Sequence, residues 1–236
     1  QEAFFLFFLA AEGNRTDAQL NLGVMYVEGI GVKPDRNYAL YWYNKVAEKG
    51  LPDVYNNLGI LYEYMQPIDK KRACEYYQKG TEAGDMSATG NLGRCYFYGL
   101  ADNTDITQGL KLLNEAADHG VSSAQGDLIK AYSQGIGVSK DLSKAFELSQ
   151  KYANAGSPAA LYNLGVMYEQ GLGTQVDHKK SAEYFRKASE QNDIPAKYNL
   201  ALMLWEGKYI DKNQEEAIAL FKTAAENNCT KAMDSL

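Results

Sequence analysis

The residues with the most chemical reach in this sequence are two histidines and three cysteines, and their spacing gives them little to do. Neither His119 nor His178 has a second His or a Cys at ligand spacing, so no metal site is expected. Cys74, Cys95 and Cys229 are too few and too irregularly placed for a disulfide framework or a zinc site. They read as free core or surface thiols and leave the redox compartment open. No serine lies in a nucleophile-elbow pattern, and no cysteine is accompanied by a catalytic histidine. The Gly-x-Gly segments at Gly29–Gly31, Gly135–Gly137 and Gly171–Gly173 resemble a phosphate loop only on the surface. No Lys-Ser/Thr pair follows them, and a phosphate cradle needs that lysine as well as the glycines. No catalytic residue, metal or cofactor is therefore expected, and the chain reads as a binding protein rather than an enzyme.

Composition narrows the partners. Hydrophobic residues at 45% against 23% charged suit a soluble, well-packed chain, and the net charge of −6 disfavours nucleic acid, because neutralising phosphates takes a basic surface. The apolar run Ala3–Ala11 lacks a basic flank and is far too short to span a bilayer. Two sequons, Asn14-Arg15-Thr16 and Asn228-Cys229-Thr230, would matter only in a secretory eukaryotic protein.

The elements that carry these residues repeat. Leu22, Leu58, Leu92, Leu128, Leu164 and Leu200 recur at steps of 36, 34, 36, 36 and 36 residues, the period of a helical repeat array. Whole columns follow them. Four residues later stand Tyr26, Tyr62, Tyr96, Tyr132, Tyr168 and Leu204; one later, Gly23, Gly59, Gly93, Ile129, Gly165 and Ala201; seven later, Gly29, Met65, Gly99, Gly135, Gly171 and Gly207. Further on come Asp35, Asp69, Asp105, Asp141, Asp177 and Asn213, and each unit closes at Gly50, Gly84, Gly120, Gly156, Asn192 and Asn228.

These columns predict two antiparallel helices per unit. Leu and Tyr four apart share one buried face of the first helix. Glycine ends it, because a left-handed cap costs glycine no side-chain clash. The Asp/Asn column caps the second helix, whose free N–H groups those side chains satisfy. One such pair cannot bury both apolar faces, so neighbouring units must stack into an all-α solenoid. The same register makes residues 1–14 the second helix of a preceding unit. It divides the rest of a single array into six repeats at 15–50, 51–84, 85–120, 121–156, 157–192 and 193–228. Residues 229–236 then begin a seventh, which suggests a piece of a longer repeat protein.

The pattern resembles the Sel1-like repeat family, a relative of the tetratricopeptide repeat, best seen in AALYNLGVMYEQGLGTQVDHKKSAEYFRKASEQN from Ala159 to Asn192. The resemblance implies a right-handed α/α superhelix whose first helices line a concave face. It also implies an adaptor or scaffold that binds a protein or peptide there. Some bacterial relatives carry one disulfide per unit; the cysteines here do not recur in that way. The compartment stays open between a bacterial periplasmic or secreted setting and the eukaryotic secretory pathway.

On that face the column before the leucine contains Asn57, Asn91, Asp127 and Asn163. A carboxamide can pair with both halves of a peptide bond, or the column can tie neighbouring helices together. Gly90 and Gly126 beside Arg94 and Lys130, with Tyr64, Phe97 and Tyr98 near them, predict a basic and aromatic hollow for an acidic or carboxylate-bearing segment. The alternative is a solvated charged face. Trp205 lies in a column that varies between units and joins the candidate residues. Two other functions compete: a small-ligand binder or enzyme acting on cell-wall fragments, and a self-associating structural array.

Overall fold

The computed structural model describes residues 2–101, 104–207 and 209–226, and every regular element among them is an α-helix. After α1 (Glu2–Glu12), the first helices are α2 (Thr16–Glu28), α4 (Asp53–Tyr64), α6 (Met86–Tyr98), α8 (Ser122–Gln134), α10 (Pro158–Gln170) and α12 (Ile194–Glu206). They alternate with the second helices α3 (Arg36–Ala47), α5 (Lys70–Glu82), α7 (Ile106–Asp118), α9 (Leu142–Asn154), α11 (His178–Glu190) and α13 (Gln214–Glu226). The opening apolar run is helical, and Asn14 after it has the left-handed backbone (φ 66°) that Gly50 has one unit later (φ 71°).

The Asp/Asn column caps every second helix. Asp35, Asp69, Asp105, Asp141, Asp177 and Asn213 each accept a backbone N–H two or three residues ahead, at 2.8–3.2 Å. Their own N–H groups donate to the carbonyls of Tyr26, Tyr62, Tyr96, Tyr132, Tyr168 and Leu204 in turn, at 2.8–3.1 Å. Two helices of each repeat are thus clamped at the turn by one residue that serves both ends. Five first helices stop on a left-handed glycine, and α4 stops instead on Met65 in extended backbone (φ −97°), where the sequence is two residues shorter. Asn228, Cys229 and Leu236, with the second sequon and the start of a seventh unit, lie outside the described residues.

First helices carry caps that the repeat columns do not reveal: Asp85, Ser157 and Asp193 accept from the N–H groups of Ser87, Ala160 and Ala196. Burial raises the Asp193 carboxyl above its ordinary value, and the Ala196 N–H offsets part of that shift.

The glycine after the register leucine is a seat for a ring in three repeats, and in the third Gly93 faces Leu113. A Cβ at Gly23, Gly59 or Gly165 would lie 2.0, 2.3 and 2.5 Å from the rings of Tyr43, Tyr77 and Phe185. All three rings are buried, on α3, α5 and α11. The fourth repeat exchanges the partners: Ile129 stands at the glycine's place and Ser149, fully buried, at the ring's place. Large faces small in either order, which keeps the volume between the two helices filled.

The chain forms two compact units, Gln1–Ala116 and Ala117–Leu236, with the division inside α7. In the first unit, consecutive helices from α1 to α6 pack on one another, and the first helices also touch directly, α2 with α4 and α4 with α6. Its core runs from Ala11 through Trp42, Tyr43, Leu58 and Tyr77 to Leu112. In the second unit the helices from α8 to α13 pack in the same succession, and α8 touches α10. A core around Leu161, Phe185, Leu200 and Phe221 fills its later repeats.

The expectation of free thiols is corrected at Cys74 and Cys95, which form a disulfide across a Cα separation of 6.0 Å. Cys74 is on α5 and Cys95 on α6, two helices that pack together although they belong to different repeats. Counting cysteines per repeat misses such a bridge. It joins the second helix of one repeat to the first helix of the next.

Candidate partner-binding face

The first-helix positions expected to meet a partner do not behave alike. In the first unit, Asn91 donates through Nδ2 to Asn56 Oδ1 at 2.9 Å, tying α6 to α4. In the second unit, Asn199 on α12 lies close enough to Tyr162 on α10 to offset part of the rise that burial causes in that phenol's pKa. Asn21 instead turns back onto its own helix, to the Asp17 carbonyl at 2.8 Å. At these positions the column serves the framework. Asn57, Asp127 and Asn163 are half-buried.

Arg94 is partly neutralised from within. Its guanidinium lies 3.9 Å from Glu63 Oε1, and that carboxylate, 8% exposed, also accepts the Tyr77 hydroxyl at 2.7 Å. Burial first, then the bond to Glu63, pushes the Tyr77 phenol far above its ordinary range, so it stays a donor. The assignment of Phe97 to the hollow is corrected: it is 4% exposed, and Gly109 of α7 closely approaches its backbone. Tyr98 is half-buried, edge-on to Phe97 at 4.9 Å, whereas Tyr64 is 59% exposed. Arg94, Tyr64 and Tyr98 belong to the first unit; Lys130, Asp127, Asn163 and Trp205, the last 44% exposed, belong to the second.

The second unit does gather three of the expected features in one place. Gly126, Lys130 and Asn163 line a cavity of 440 Å³ between α8 and α10. Its apolar lining includes Ile129, Val166 and Met167, and Lys140 adds a second cation. A Cβ at Gly126 would meet nothing within 4 Å, so the missing side chain leaves open space here rather than a helix contact. No acidic side chain lines this cavity among the described residues. Lys140 sits in the turn before the Asp141 cap, outside every first-helix column, so the repeat register does not single it out.

Among the described residues no group of His, Cys, Asp and Glu is placed to hold a metal ion, and no helix is long and apolar enough to cross a membrane.

The family model of the Sel1 repeat matches six times, at residues 16–51, 52–85, 87–121, 126–157, 158–193 and 194–229. The chain belongs to the Sel1 repeat family. A Sel1 repeat protein of Oxalobacter formigenes has a similar structure, with 27% identity, a TM-score of 0.73, and 89% of this chain and 85% of that one covered. The Arabidopsis thaliana ERAD-associated E3 ubiquitin-protein ligase component HRD3B is 33% identical over 109 residues, 44% of this chain and 17% of that protein. The mouse DAP3-binding cell death enhancer 1 is 29% identical over 84 residues, 36% of this chain and 16% of that protein. This chain thus spans less than a fifth of the curated relatives it matches. Sel1 repeat proteins generally mediate protein–protein interactions, and their scaffolds are generally non-enzymatic.

Proposed function

We propose that this Sel1 repeat array is an adaptor that holds a protein partner through an acidic, extended segment laid along its first helices. The cleft between α8 and α10 is the anchor. The observation that carries this reading is the make-up of that cleft: two lysines and an asparagine around an apolar floor, with no acidic lining residue among those described. Such a lining favours a carboxylate followed by one apolar side chain. The carboxylate takes charge-assisted hydrogen bonds from the lysines, and the apolar group is buried beside Met167 and Val166. The names of two relatives, a ligase component and a DAP3-binding protein, agree with an adaptor role.

The test is selection of peptides from a random displayed library on the intact chain, followed by titration of the best binder. Selected peptides should be rich in Asp and Glu beside one large apolar residue. The pair Lys130→Glu with Lys140→Glu should weaken their binding at least tenfold, since each reversal replaces an attraction by a repulsion. Unchanged affinity in that variant would remove the cleft from the account.

A further inference from the structure

We infer that the first unit holds a second recognition site, independent of the cleft above: a clamp for a phosphate monoester, built on Tyr62. Arg36 at the start of α3 and Arg72 in the first turn of α5 both lie against the Tyr62 ring, their guanidinium carbons 4.8 and 5.6 Å from its centre. Tyr62 is itself fixed, 8% exposed and stacked on Tyr76 with centroids 5.5 Å apart. The ring is a contact that both cations share, and Arg72 also reaches the Tyr62 hydroxyl at 3.5 Å. Together with Lys70 and Lys71 they line a cavity of 440 Å³, in which Asp69 is the one acidic lining residue among the described residues.

Asp69 is already engaged. One oxygen caps α5 through the Arg72 N–H at 3.0 Å, and the other lies 3.8 Å from the Arg72 guanidinium. Asp69 is thus spent on the helix cap and on Arg72, and the surplus charge belongs to the side chains. Arg36 Nε is buried without a hydrogen-bond partner, and the Tyr62 ring is what holds this guanidinium in place.

The repeat itself does not require this arrangement. The place that Arg36 holds after the Asp35 cap is Lys70, Ile106, Leu142, His178 and Gln214 in the other repeats. Two planar guanidinium forks around a small cavity match a group with three charged oxygens better than a single carboxylate. In a chain of net charge −6, four cations on one cavity are also a local exception that solubility does not explain.

The experiment is a titration of the intact chain, followed by NMR of the arginine Nε–H signals at constant ionic strength. One arm uses inorganic phosphate. A second uses the peptide acetyl-Gly-Gly-phosphoserine-Gly-Gly-amide, and a third its unphosphorylated form. Saturable shifts of Arg36 and Arg72 are expected with both phosphate probes and not with the unphosphorylated peptide. Tighter binding of the phosphopeptide would assign the site to a phosphorylated protein partner; equal or tighter binding of inorganic phosphate would assign it to a free anion. Arg36→Gln should weaken either by about tenfold, the scale of one lost charge-assisted contact, while Lys212→Gln in the second unit should not. Failure of both probes to saturate, or an unchanged affinity in Arg36→Gln, overturns the site.

Discussion

Gly165→Ile should destabilise the chain by roughly 3 kcal/mol, and Phe185→Ser by about as much or more, yet the two together should lose less than their sum. A Cβ at Gly165 would already lie 2.5 Å from the Phe185 ring, and that ring is fully buried with no room to withdraw. The fourth repeat shows the alternative solution at the same two places, Ile129 against Ser149, both buried. The double variant copies it into the fifth. Urea unfolding of the intact chain measures the coupling, expected at about 1–3 kcal/mol in favour of the double variant. If the single variants are too unstable to purify, recovery of the folded double variant is the same result. Strictly additive losses would show that the glycine and ring columns are not one packing unit.

Loss of the Cys74–Cys95 bridge is the second large effect. The bond closes a loop with a sequence separation of 21, and a cross-link of that span removes about 3 kcal/mol of unfolded-chain entropy. Cys74→Ala with Cys95→Ala should lower the urea midpoint accordingly, and a reductant should lower the midpoint of the unaltered chain to a similar value. The oxidised chain should show one reactive thiol of its three cysteines after denaturation. Three reactive thiols, or identical midpoints with and without reductant, would contradict the bridge.

Both effects mark where the sequence is transparent and where it is not. Every column fixed by local backbone chemistry is legible. Asp141 must cap α9 because four N–H groups there have no helical partner, and Gly171 must follow α10 because its backbone is left-handed (φ 70°). Pairings between columns are less visible. Ile129 looks like a lapse in the glycine column until Ser149 is seen across from it. Cys74 and Cys95 look unrelated until α5 is placed against the next repeat's first helix.

The candidate site divides in the same way. Gly126, Lys130 and Asn163, singled out from first-helix columns, line one cavity. Arg94 was misleading: its charge is matched by Glu63 on the neighbouring first helix, 31 residues earlier in sequence, and no single-repeat comparison pairs them. Phe97 was misleading because α7 approaches its backbone through Gly109, a small residue whose consequence appears only in packing. Tyr62 and Arg36 carry the opposite lesson. The tyrosine belongs to the framework column, and only the neighbour on the preceding repeat turns it into a recognition element.

The proposed anchor for a protein partner is the first-helix cleft of the second unit. Hydrogen exchange of the intact chain, with and without a saturating selected peptide, reads that place directly. Slowed exchange is expected in α8 from Asp127 to Gln134 and in α10 from Asn163 to Gln170, with α9 and α11 unchanged on their outer turns. Protection confined to the second helices, with α8 and α10 unaffected, would contradict it.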